Sequence, residues 1–134
     1  MAETRAPVQR PLSPHLSIYR LSLTMVMSGV HRITGLALCA GMLMLTWWLL
    51  AAAAGQNAYG TFEAFAASWI GKLILVGFSW SLLHHLLGGL RYLLWDLGYG
   101  LEPAEREWLV RANIICSIAA TVILWLILVM FGMR

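Results

Sequence analysis

Polar side chains able to do chemistry lie inside otherwise apolar runs of this chain, in two groups. The first is Ser28, His31 and Arg32. Spacings of three and four residues put them on one face of a helix. A hydroxyl and a guanidinium there can both donate to an oxygen of a hydrophobic ligand, stabilising charge that develops on it during reduction. The same residues admit a simpler use. Arg32 can snorkel to the headgroups, His31 can lie at the interface, and Ser28 can bond its own helix backbone.

The second group is His84, His85, Gly88, Gly89, Arg91 and Asp96. Ionisable groups inside a membrane span are costly and usually mark function. Neutral imidazole is a usual axial ligand of haem iron. Gly89 lies one turn from His85 and Gly88 is close to the same face, so a flat macrocycle could approach there. The competing use is interhelical: a histidine bonds a neighbouring helix and the glycines are close-packing positions. No second histidine stands at matching depth in another apolar run, so ligation by two histidines needs a partner chain. Arg91 is about 9 Å along the helix from His85, a reach suited to a haem propionate. Asp96 can pair with Arg91 or Arg32, or serve as an ordinary interfacial charge.

The elements that must position these residues follow from composition. The chain has 134 residues, 60% hydrophobic and 11% charged, with a mean hydropathy of +0.76. A soluble domain is nearer one quarter charged, and a short chain cannot hide so much apolar surface in its own core. Lipid is the solvent that accepts it. Three runs, about 21–54, 69–97 and 112–133, reach the roughly 20 residues that cross a hydrocarbon core. Isolated strands cannot span, because their backbone groups would be unpaired in lipid. The fold class is therefore all-α, an integral membrane protein with three transmembrane helices.

Residues 1–20 read as a polar, Pro-rich N-terminal segment and 21–134 as the membrane domain. Gly55 to Ser68 and Gly98 to Arg111 read as short connections, with Pro103 suited to a first helical turn. Residues 105–108 then form an interfacial turn. Cys39 and Cys116 have no metal-ligand spacing and read as small buried hydrophobes. The net charge of +3 does not suggest nucleic acid. Arg5, Arg10, Arg20 and Arg32 lie toward the N-terminus, and Arg91, Arg106 and Arg111 around the second connection. The first connection has only Lys72 nearby. The positive-inside rule puts the N-terminus in the cytoplasm and the C-terminus outside, in the periplasm of a bacterium. Trp47, Trp48 and Trp69 near the outer ends, and Trp95 and Trp108 near the inner ends, form aromatic belts. The start has no signal-peptide or transit-peptide pattern, which favours a bacterial inner membrane over a mitochondrial one.

Three ordered stretches carry a resemblance. Residues 10–19, Arg-Pro-Leu-Ser-Pro-His-Leu-Ser-Ile-Tyr, resemble an N-terminal signature of the cytochrome b subunit of succinate dehydrogenase, of the alphaproteobacterial and mitochondrial type. Ser28-Gly29-Val30-His31-Arg32-Ile33-Thr34-Gly35 and His85-Leu86-Leu87-Gly88-Gly89-Leu90-Arg91, continuing to Asp96, are similar to two further elements of that family. The resemblance implies the larger hydrophobic anchor of respiratory complex II, which passes electrons from succinate oxidation in the tricarboxylic acid cycle to ubiquinone. It implies haem b shared with a second small hydrophobic anchor subunit, completing a helical bundle. It also implies flavoprotein and iron–sulfur subunits that carry FAD and the iron–sulfur clusters. By the motif match, His85 is the haem iron ligand, Ser28 and Arg32 bind ubiquinone, and His31, Arg32 and Arg91 lie toward the haem propionates. No residue is assigned as catalytic, and the isolated chain is expected to have no activity. Tyr92 stands where some relatives carry His. Two other readings remain: a non-redox membrane scaffold, or the haem anchor of another quinone-linked dehydrogenase or fumarate reductase.

Overall fold

A computed structural model describes residues 20–132. The expected segment 1–19, with Arg5, Arg10 and the motif over 10–19, lies outside the described residues, as do Met133 and Arg134. The described residues form α1 (Leu23–Ala54), α2 (Gln56–Ala67), α3 (Trp69–Asp96) and α4 (Pro103–Phe131), with no strand. Of these, α1, α3 and α4 are long and apolar enough to cross a membrane.

The 32 residues of α1 extend about 48 Å, well beyond a hydrocarbon thickness of about 30 Å. The hydroxyl of Ser22 caps the first turn by accepting from the Met25 N–H at 3.4 Å. At the far end Gly55 has φ 103°, a left-handed conformation that glycine enters without penalty. The chain there turns straight into α2.

The sequence reading of 55–68 as a plain connection is corrected here, because most of it is helix. Its 12 residues are too short to span and give no long apolar run. They are amphipathic: Glu63 is exposed, while Phe62 and Phe65 pack on Trp47 with ring centroids 5.0 and 5.2 Å apart. Ser68 then caps α3, its hydroxyl accepting from the Gly71 N–H at 3.1 Å and donating to the Phe65 carbonyl at 2.6 Å. A Cβ on Gly71 would strike that carbonyl. Gly71→Ala is therefore expected to lower the stability of the detergent-solubilised complex by about 1–3 kcal/mol, read as a drop in Tm.

The reversal between α3 and α4 uses Gly98 (φ 83°) and Gly100 (φ 72°). Pro103 opens α4 in its first turn, so this helix starts nine residues before the apolar run from 112. The stretch around 105–108 is continuous helix. The Glu107–Arg111 pair at 2.8 Å is exposed on both sides and contributes about 0.3–0.5 kcal/mol. Among the described residues this is the ion pair present; Asp96 pairs with neither Arg91 nor Arg32.

The bundle places α3 in the middle, against α1 on one side and α4 on the other. Most of its buried residues are small or polar: Thr34 and Gly41 on α1, Ser81, His84, Gly88 and Arg91 on α3, and Asn113, Ser117 and Thr121 on α4. Large aliphatic side chains such as Leu36, Leu43, Leu73 and Leu86 face outward. That inversion suits lipid, where close backbone approach and interhelical hydrogen bonds hold helices together. At Gly41 the missing side chain is the space taken by the Phe78 ring.

Candidate functional site

The adjacent histidines of α3 face different neighbours, as a rotation of about 100° per residue requires. His85 turns to α1. Its Nδ1–H donates to the His31 carbonyl at 3.1 Å, with the Thr34 hydroxyl oxygen at 3.4 Å. Thr34 itself donates to that carbonyl at 2.9 Å. A carbonyl oxygen only accepts, so this contact holds the proton on Nδ1 and leaves the lone pair on Nε2. Among the described residues nothing hydrogen-bonds to Nε2 of His85. An imidazole anchored through one nitrogen with the other free is the arrangement of a metal ligand with its outer support.

His31 on α1 answers His85 across the same gap, which corrects the expectation that no second histidine stands at matching depth in another apolar run. The two rings stack with centroids 3.9 Å apart and planes 17° from parallel. The Nε2–H of His31 donates back to the His85 carbonyl at 3.3 Å. Two missing side chains make room. A Cβ on Gly35 would lie 3.0 Å from Cε1 of His85, and a Cβ on Gly88 would overlap the His31 ring. Of the two uses read for Gly88, macrocycle approach and close packing, the second is seen here: the His31 ring fills its notch. Gly89 has open space beside it.

Ser28, Arg32 and Gly35 run at i, i+4 and i+7 along one stripe of α1, and Gly35 touches His85 at its end. Ser28 is half-buried and Arg32 exposed. Among the described residues, the Ser28 hydroxyl bonds neither its own helix backbone nor another side chain, so it is free to donate. Along α1, His31 lies between Ser28 and Arg32, and of the three it is His31 that meets His85.

Arg91 is buried on the inner side of α3. It stands seven residues from His84, close to two full turns, and shares the inward face of His84 and Gly88. Only 3% of it is exposed. Its guanidinium lies over the Tyr92 and Trp95 rings at 5.3 and 5.0 Å, and Nε and Nη1 have no hydrogen-bond partner. A buried guanidinium with unpartnered donors is costly unless an anionic oxygen meets it.

His84 faces α4, where it is 1% exposed. Its Nδ1 is 3.2 Å from the Ser117 hydroxyl, and the Asn113 amide nitrogen is 3.3 Å from the ring. The interhelical use therefore describes both histidines, His84 toward α4 and His85 toward α1, and of the two, among the described residues, His85 alone keeps a ring nitrogen without a partner. Asn113 and Ser117 escaped the sequence reading; their signal was the i, i+4 spacing of polar residues within an apolar helix. His84→Ala is expected to keep any cofactor spectrum of the complex while lowering its stability by about 2 kcal/mol, measured as Tm.

A family model described as the succinate dehydrogenase/fumarate reductase transmembrane subunit matches residues 6–131. The chain belongs to this family. Similar relatives include the succinate dehydrogenase cytochrome b556 subunit of Paracoccus denitrificans, 43% identical over 91% of this chain and 94% of that protein. The cytochrome b556 subunit of Rickettsia felis is 37% identical over 93% and 99%. The mitochondrial cytochrome b560 subunit of Sus scrofa is 41% identical over 69% of this chain and 56% of its own length. As a succinate dehydrogenase/fumarate reductase transmembrane subunit, the chain is a multi-pass membrane anchor that belongs to an oxidoreductase complex and associates with its other subunits.

Proposed function

We propose that this chain is the cytochrome b anchor of a succinate:ubiquinone oxidoreductase, ligating haem b through His85 and forming part of the ubiquinone-reduction site with Ser28 and Arg32. The observation that carries the reading is the His31 carbonyl holding the proton of His85 on Nδ1, which leaves Nε2 able to bind iron. The residues also suit the periphery of a haem. Arg91 has buried, unpartnered donors that a propionate carboxylate would satisfy, and His31 and Arg32 complete the polar end of the site. Haem, when bound, supplies a one-electron carrier beside the quinone pocket. A second small hydrophobic anchor subunit would supply the other ligand to the haem.

The chain's own residues do the binding. Ubiquinone enters from the bilayer and places its head group against the Ser28–Arg32 stripe. The free Ser28 hydroxyl donates to a quinone oxygen. Arg32, exposed at the same end, orients the ring and stabilises negative charge on the oxygen as it is reduced. Electrons arrive from the flavoprotein and iron–sulfur subunits, which carry FAD and the clusters. Protons arrive from the cytoplasmic side of a bacterial inner membrane, where the basic residues put the N-terminus and the α3–α4 turn; the C-terminus is periplasmic.

The test is a dithionite-reduced minus oxidised spectrum of the complex purified through this chain, followed by quinone reduction assayed with succinate and with other donors. A b-type haem signal and succinate-driven quinone reduction are expected. Absence of haem in the wild type returns the scaffold reading. Haem with no response to succinate points to another quinone-linked dehydrogenase or fumarate reductase.

A further inference from the structure

We infer that His31 is a positioning residue for His85, its ring the flat wall that sets the rotation of the His85 imidazole. The inference rests on the haem-ligand reading and goes beyond it, because it assigns His31 a task at the ligand itself. An imidazole attached through a single side chain can turn about its Cβ–Cγ bond, and that rotation decides where its free nitrogen aims and how its plane lies. In this chain the turn is blocked on several sides. One face of His85 lies on the His31 ring at 3.9 Å. Its Nδ1 edge is tied to the His31 carbonyl and bordered by Thr34. Its Cε1 edge abuts Gly35, where even a methyl group would be tight at 3.0 Å.

The wall is itself fixed. His31 donates through Nε2 to the His85 carbonyl, its ring occupies the notch left by Gly88, and the Tyr92 ring meets it nearly edge-on at 5.2 Å. The backbone carbonyl of residue 31 survives any substitution there, so the acceptor for Nδ1–H and the contribution of the ring can be separated by mutation. Planarity is the property that matters. Phe keeps a flat face but no N–H donor, and Leu keeps comparable bulk without a flat face.

The test compares the complex carrying wild-type chain, His31→Phe and His31→Leu, by haem content per complex and by the low-field EPR line of the ferric low-spin haem. The position of that line follows the angle between the two axial ring planes. Leu is expected to displace and broaden the line and to weaken haem binding by about tenfold, the lower end of what outer support of a metal ligand contributes. Phe is expected to restore the wild-type line. An unchanged line in His31→Leu, or equal displacement in Leu and Phe, overturns the positioning role while leaving the ligand reading intact. A wild-type complex without haem overturns the ligand reading and this inference together.

Discussion

A complex purified through a His85→Ala chain is expected to lose the b-type haem band that the wild type shows in a reduced minus oxidised spectrum. The expectation follows from how the two histidines of α3 are committed. His84 spends its ring on Ser117 and Asn113 in the α3–α4 seam. His85 keeps Nε2 free while Nδ1 is anchored on α1. Alanine at 85 removes the free nitrogen, and among the described residues the imidazole stacked on it, His31, has its Nε2 bonded to the backbone and its ring set between Gly88 and Tyr92. Succinate oxidation with an artificial acceptor reports that the complex still assembles. A normal haem spectrum from an assembled His85→Ala complex would move the ligand elsewhere and remove the central assignment.

Arg32→Ala is expected to lower quinone reduction by about 10²-fold, the scale at which a charge-stabilising donor contributes to a reaction. Succinate oxidation by an artificial acceptor should stay near its wild-type rate. Arg32 is exposed on α1, outside the packed face of Met27, Thr34 and Gly41, so its removal opens no cavity and leaves no buried partner stranded. The loss should therefore fall on quinone reduction and not on succinate oxidation. Equal loss of both activities in an assembled complex would rule out this role.

The three spans were legible because each is an apolar run long enough for lipid, and lipid imposes helix on any such run. The helix α2 was not. Its 12 residues are too short for a span-length window, and its large apolar side chains Phe62 and Phe65 pack on Trp47, a partner that spacing within the segment does not reveal. The pairing of His31 with His85 was hidden for a related reason. Spacing along α3 gives height but not which helix stands opposite. Rotation was equally hidden for Arg91: six residues from His85 is a suitable rise but about 120° around the helix, and spacing did not show that it is buried on the face of His84. Gly88 and Gly89 looked interchangeable as gaps, yet one houses a ring and the other faces open space. Choosing His85 over His84 needed the motif as a whole, since spacing put the two on different faces without saying which helix each face meets.

The crossed bonds between His31 and His85 also act on how α1 and α3 can slide. Each ring reaches the other's main chain at one level, so a slip of a single residue, about 1.5 Å, would draw both donors off their carbonyls. A thicker or thinner bilayer can tilt the helices together, but it cannot readily draw Ser28 and Arg32 away from Nε2 of His85. Their depths in the membrane are coupled, and on the proposed assignment the gap between quinone head group and haem would be held against changes in lipid composition.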